Sequence, residues 1–237
     1  RVLAYVAAAE SDRSRLAKDE EDKARHFARL ELFTPIVKGW LTELAQELTS
    51  HGIQVHGGMG YVEETGSAQF YRDARITTIY EGTTAIQAND LVGRKLLANK
   101  GEVLADLLAE IRGVAAELKN NSDLGDLGSS LEGAVAAAEA ASAWVLENAP
   151  ADRHAAGSAS VNLLMLLGYV CGGWLMGVSA LKADEHLASD SGDTSFLEAK
   201  KVTARFYFDH LLPRASACLA TIQAGSASTM ALSEDQF

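Results

Sequence analysis

Apolar side chains recur at intervals of three and four along most of this chain, the period of a helix that buries one face. Residues 1–9 are apolar in this pattern, and Glu10 to Arg25 is densely charged. Leu30, Phe33, Val37, Trp40 or Leu41, Leu44 and Leu48 then share one face of an amphipathic helix. Thr34-Pro35 inside that run predicts either a kink or an N-cap followed by proline at the first helical position. From Thr83 the period returns with Ala85, Ala88, Val92 and Leu96, until Asn99-Lys100-Gly101 stops it.

The second half predicts four more helices. Val103, Leu107, Ile111, Val114 and Leu118 line one, closed by a loop over Asn120–Gly128. Leu131, Val135, Ala138, Ala141 and Val145 line the next, which ends near Pro150. Val161 to Leu181 runs for 21 residues without a charge, enough on length to cross a bilayer. It also holds Asn162, Ser179 and four glycines, and its neighbours are apolar-faced, so a buried bundle helix is expected and no membrane span. After a polar loop over Ala188–Ser195, the last helical run begins at Phe196 and is bent or broken at Pro213.

One stretch departs from the helical period. Residues 51–66 are punctuated by glycine, Gly66 to Arg75 predicts a short helix, and Ile76-Thr77-Thr78-Ile79-Tyr80 is β-branched and reads as extended. The fold class is therefore all-α, a helical bundle with one irregular island at 51–83, and irregular islands on rigid scaffolds are where function tends to sit.

Composition narrows the class. The 237 residues are 48% hydrophobic and 22% charged, with three prolines, which suits a globular helical protein. Lys plus Arg number 21 against 32 Asp plus Glu, a net charge of −11 with no basic block, so nucleic-acid binding is not expected. Two cysteines, Cys171 and Cys218, support neither a disulfide framework nor a cysteine-based zinc site, and a reducing, cytoplasmic setting is expected. Arg1 opens directly on a helical pattern without a signal-peptide pattern, and the chain reads as the interior start of a longer protein.

Candidate chemistry lies in the island. Gly57-Gly58-Met59-Gly60 lacks both a preceding strand and G-x-G-x-x-G spacing, which leaves a simple turn or a place where backbone approaches a ligand closely. His51 and His56 lie off a common helical face with no carboxylate to complete a set, so no metal site is expected. Arg72, Asp73 and Arg75 read as a surface ion-pair cluster. Glu81 stands between the β-branched run and a new helix. It is either a partly desolvated base or a charge near a helix N-terminus capped by Thr83 or Thr84.

The order Gln54-Val55-His56-Gly57-Gly58-Met59-Gly60-Tyr61, Arg72-Asp73-Ala74-Arg75-Ile76, Ile79-Tyr80-Glu81-Gly82-Thr83 resembles the C-terminal helical domain of acyl-CoA dehydrogenases. The resemblance covers about residues 1–98, and 99–237 resembles the helical extension of long members, with the 3-(methylthio)propanoyl-CoA dehydrogenases nearest. It implies FAD as cofactor, an acyl-CoA thioester as substrate and a trans-2-enoyl-CoA as product. Glu81 matches the family's α-proton base. Gln54, Gly57, Gly58 and Thr83 match flavin-contacting positions, the first three usually serving a neighbouring subunit, and Tyr80 and Gly82 match positions bordering the acyl-CoA. Ala85 departs from the Gln that many members have. An electron-transfer flavoprotein as acceptor and a homodimer are implied too. Nothing here matches the family's N-terminal and middle domains, so the isolated chain is expected to be inactive. The rival readings are a non-enzymatic helical interaction module and an acyl-CoA oxidase.

Overall fold

The structure, a computed structural model, describes residues 1–236. Ten α-helices follow one another, and the described residues contain no strand. They are α1 (Val2–Leu16), α2 (Glu20–Val55), α3 (Gly58–Tyr61), α4 (Ser67–Thr77), α5 (Thr84–Asp90), α6 (Glu102–Asn120), α7 (Gly125–Asn148), α8 (Ala155–Ala188), α9 (Thr194–His210) and α10 (Arg214–Gln223). A π-helical segment, Leu91–Leu97, continues α5 to the turn where Asn99 Oδ1 accepts from the Gly101 amide at 3.0 Å.

The bundle is organised around α8, which packs against α2, α5, α6, α7, α9 and α10. By length and apolarity α8 is the one helix among the described residues able to cross a membrane. Here its uncharged run is enclosed by neighbouring helices, with only Val161 exposed. The glycines in that run have a packing reason. A Cβ at Gly168 would overlap the Trp40 indole, and one at Gly172 would overlap the Tyr207 hydroxyl. A Cβ at Gly177 would lie 2.9 Å from Leu118 Cδ1. On the facing helix, a Cβ at Gly39 would lie 2.8 Å from Leu164 Cδ1. Small residues on both sides thus let α2 and α8 approach closely. Phe33 stacks on Trp174 at 6.5 Å, and Trp40 meets Tyr169 edge-on at 5.8 Å. Burial of Cys171 against this core pushes its thiol up to about 12, which makes it an inert packing residue.

Several elements differ from the sequence reading. Pro35 lies inside α2 rather than at a helix start, and the Thr34 hydroxyl donates back to the Leu30 carbonyl at 2.8 Å. The buried positions of α2 are Leu32, Phe33, Pro35, Ile36, Gly39 and Trp40, a face rotated from the predicted stripe, and Leu48 is exposed. Helix α2 also runs through His51-Gly52 to Val55, so the island's irregular part is shorter than expected. Ile76–Tyr80 is not extended. Ile76 and Thr77 close α4, and the amides of Ile79 and Tyr80 both donate to the Ile76 carbonyl, at 3.0 and 3.1 Å. The break at Pro213 stands, with Pro213 as the N-cap residue of α10.

The segments on either side of the Asn99–Gly101 turn share one hydrophobic core. A polar link reinforces it: Arg214 at the start of α10 holds Glu47 of α2 through two bonds of 2.7 Å. The hydrogen bond from Arg214 holds the Glu47 carboxyl below its ordinary value of 4.5, against a smaller opposing effect of burial. A depressed carboxylate stabilises the fold above the unfolded-state value, and that contribution disappears as pH falls through the folded value. The side chains are 41% and 34% exposed, so screening limits the pair to about 1 kcal/mol or less. We expect Arg214→Gln to lower the urea midpoint slightly at pH 7 and to converge with the wild type as pH falls below 4.5 and through the depressed folded-state value. A difference that persists undiminished in acid would assign the loss to packing instead.

Candidate functional site

The island places its chemistry in a six-residue turn, 78–83, between α4 and α5. Tyr80, Glu81, Gly82 and Thr83 lie consecutively in it, and Thr84 begins α5. Thr83 caps that helix, its hydroxyl accepting from the Ile86 amide at 3.4 Å, so the capping residue foreseen from sequence is in place. Glu81 takes a left-handed φ of 55° and Gly82 one of 87°. Such a conformation is strained for glutamate and natural for glycine. Gly82 is also crowded, since a Cβ there would meet Gln87 Nε2 at 3.0 Å.

Three side chains fix this turn from behind. Gln87 donates to the Glu81 carbonyl at 3.1 Å, Lys38 of α2 donates to the Gly82 carbonyl, and the Thr84 hydroxyl donates to Glu43 of α2 at 2.5 Å. The carbonyls of residues 81 and 82 are therefore engaged by protein. The amide N–H groups of Glu81, Gly82 and Thr83 have no partner among the described residues. A carboxylate thus stands beside three consecutive free donors, which is the pairing of base and anion-stabilising dipoles used in proton abstraction next to a carbonyl. The Glu81 side chain is exposed, so the partly desolvated base that was one of the two sequence alternatives is not formed by the described residues alone.

Gln54, Gly57 and Gly58 lie elsewhere. They are exposed at the end of α2 and start of α3, at the opposite end of α4 from the turn. Helix α4, 11 residues and about 16 Å long, lies between the two groups. Gly57 has a φ of 60°, and a Cβ added at either glycine would meet nothing within 4 Å, so the backbone there is open to close approach. Gly60 serves packing instead, because a Cβ would lie 2.9 Å from Ile53 Cα. In and around the two groups, Met59, Tyr61, Phe70, Ile76, Ile79, Tyr80 and Ile86 are large apolar side chains exposed to solvent. Arg72 pairs with Glu63 at 3.1 Å and Arg75 donates to Thr78 at 2.8 Å, while Asp73 takes part in neither, so the ion-pair cluster expected of Arg72, Asp73 and Arg75 does not form among the described residues. No metal-binding cluster occurs among the described residues.

Sequence reading missed Lys38, Glu43 and Gln87. The signal was present for the first: a lysine inside the apolar run Leu32–Leu41 is costly to bury without a partner.

Comparison with known proteins places this geometry. The family described as "Acyl-CoA dehydrogenase, C-terminal domain" matches residues 1–97. That described as "Acetyl-CoA dehydrogenase C-terminal like" matches residues 107–233, more than half of the chain. The chain belongs to the acyl-CoA dehydrogenase family. It is 45% identical over 199 residues to the 3-methylmercaptopropionyl-CoA dehydrogenase of Ruegeria pomeroyi, covering 84% of this chain and 34% of that protein. It is 31% identical to the broad-specificity linear acyl-CoA dehydrogenase FadE5 of Mycobacterium tuberculosis, over 87% of this chain and 35% of that one. A shorter match, 32% identical over 40% of this chain and 22% of that protein, is to the caffeyl-CoA reductase-Etf complex subunit CarC of Acetobacterium woodii. The chain therefore spans about a third of the length of the first two relatives. Its fold matches an acyl-CoA dehydrogenase complexed with FAD from Bacillus anthracis, with TM-score 0.61 and 19% identity over 96% of this chain and 40% of that one. The all-α acyl-CoA dehydrogenase C-terminal fold expected from sequence is the one observed.

Proposed function

We propose that this chain is the C-terminal helical part of a FAD-dependent acyl-CoA dehydrogenase that converts an acyl-CoA to a trans-2-enoyl-CoA. The observation that carries the reading is the Glu81 carboxylate beside the free amides of residues 81–83, in a turn clamped from the other side. An α-proton next to a thioester is weakly acidic. Its removal needs both a positioned base and donors for the negative charge that grows on the thioester oxygen. Glu81 takes the α-proton from carbon, and the Glu81 amide is the nearest donor for the oxygen. Tyr80 and Gly82 border the acyl chain.

Gln54, Gly57 and Gly58 suit the dinucleotide end of FAD, since their open backbone admits a close approach. Thr83, in the active turn, suits the ring end. Bound flavin supplies the acceptor for the β-hydride and its electron pair. With α4, about 16 Å long, between them, the two groups are read as serving different ends of the cofactor, and the homodimer as an arrangement in which the first group serves the neighbouring subunit. We assign residues 1–98 to the catalytic helical domain and 99–237 to the extension. An electron-transfer flavoprotein is the proposed acceptor, in keeping with the Etf-complexed relative.

The test is to mix saturated acyl-CoA thioesters with the flavin-loaded enzyme and an artificial electron acceptor. The expected product is lighter by two hydrogens. Hydrogen peroxide formed in air without the acceptor would mark an oxidase. Neither product with any thioester would favour an interaction module, for which the exposed apolar ridge from Met59 to Ile86 would be the partner surface.

A further inference from the structure

We infer that Lys38 is a positioning residue for Glu81, acting through the Gly82 carbonyl and not on substrate. The inference rests on the reading of Glu81 as the base. Lys38 comes from α2, 44 residues away in sequence, and its ammonium group donates to the carbonyl immediately after Glu81. No carboxylate lies within 4.0 Å of this ammonium among the described residues. Its charge is therefore not consumed in an ion pair, and the carbonyl is its hydrogen-bond partner. A charged donor makes such a bond stronger than a neutral one.

The bond falls where the backbone most needs it. Glu81 and Gly82 both have positive φ, and only glycine adopts that region without strain. Gln87 orients the peptide after Glu81 by binding its carbonyl, and Lys38 orients the next peptide. With both carbonyls held from within, the amides of Gly82 and Thr83, on the far side of the same two peptides, point away from Gln87 and Lys38, and the Glu81 side chain is exposed. Glu43, five residues along α2, accepts from the Thr84 hydroxyl, so one helix holds the turn on both sides of Thr83. Loss of Lys38 frees the 82–83 peptide to rotate, which swings the Thr83 amide directly and releases the C-terminal side of the turn that holds Glu81. A displacement of about 1 Å at a reacting group can cost about 100-fold in rate.

Two measurements on Lys38→Met and Lys38→Arg test this. In the chain itself, hydrogen exchange is read at the Ile79, Tyr80 and Thr84 amides, which are bonded to the Ile76 and Thr78 carbonyls around the turn. Lys38→Met should raise exchange there by about tenfold or more with the core amides and Tm unmoved, and Lys38→Arg should restore most of the protection. In the flavin-loaded enzyme, Lys38→Met should lower kcat by about 10–100-fold at unchanged flavin content and unchanged pH profile, with Lys38→Arg partly recovering it. Unchanged exchange at the three amides overturns the inference. So does a uniform loss of protection through the core, which is a structural role, or a shifted kcat–pH profile, which means Lys38 acts on the base's charge. If the unsubstituted enzyme acts on no thioester, the dehydrogenase reading fails, and the exchange comparison still decides whether Lys38 clamps the turn.

Discussion

Replacing Glu81 by Gln in the flavin-loaded enzyme should lower turnover by about 10²–10⁴-fold, the range a positioned general base contributes. The amide has nearly the shape of the carboxylate, and the free N–H groups of Glu81, Gly82 and Thr83 belong to the backbone, so they survive the change. The flavin contacts proposed for Gln54, Gly57, Gly58 and Thr83 do not involve the Glu81 side chain. Flavin content and KM should therefore stay near those of the unsubstituted enzyme, with the loss confined to kcat. Rapid-mixing measurement of flavin reduction at saturating thioester separates the two. A loss smaller than tenfold would move the base to another residue, and loss of flavin would make Glu81 a structural group.

The second large effect is on stability. Gly168→Ala should destabilise the chain by about 1–3 kcal/mol even though alanine is the better helix former by about 1 kcal/mol. A Cβ at residue 168 overlaps the indole of Trp40, which is itself pinned against Tyr169 and Gly172. Relief requires α2 and α8 to separate, and both contribute fully buried side chains along their contact, Phe33 and Ile36 from one and Leu163 and Leu164 from the other. Gly133→Ala on α7 is the control. It is an exposed helical glycine, and a Cβ there meets nothing within 4 Å. That substitution should raise stability by about 0.5–1 kcal/mol. Urea unfolding of the pair should thus show shifts of opposite sign. Shifts of the same sign would mean that the glycines of α8 do not set the helix approach.

What the sequence disclosed divides along physical lines. Where a helix buries one face, the period was enough: Leu131, Val135, Ala138, Ala141 and Val145 are all buried along α7. The uncharged run of α8 was also legible as core, because its glycines and polar residues spoke against lipid. Helix α2 misled, since it meets α1, α4, α5 and α8 on different sides, and such a helix has no single apolar stripe to find. Ile76 to Tyr80 misled for another reason. Local β-propensity there is overridden by the preceding helix, whose last carbonyl bonds reach Ile79 and Tyr80. In the site, Glu81, Gly82 and Thr83 were legible from their motif because all three lie in one turn. The roles of Lys38 and Glu43 were not, although a lysine in an apolar run hinted at a partner, because they exist only once α2 is folded against that turn, and that of Gln87 was not, because it depends on the left-handed turn just before it. The exposure of Glu81 was equally invisible, since burial depends on what is packed around a residue and not on its sequence neighbours.

The most direct test of the central claim is an anaerobic titration of the flavin-loaded enzyme with a panel of saturated acyl-CoA thioesters, following the visible flavin absorbance. The account expects one or more thioesters to bleach the flavin stoichiometrically, with the matching enoyl-CoA formed. Bound flavin that no thioester bleaches, in an enzyme that retains Glu81, would contradict it.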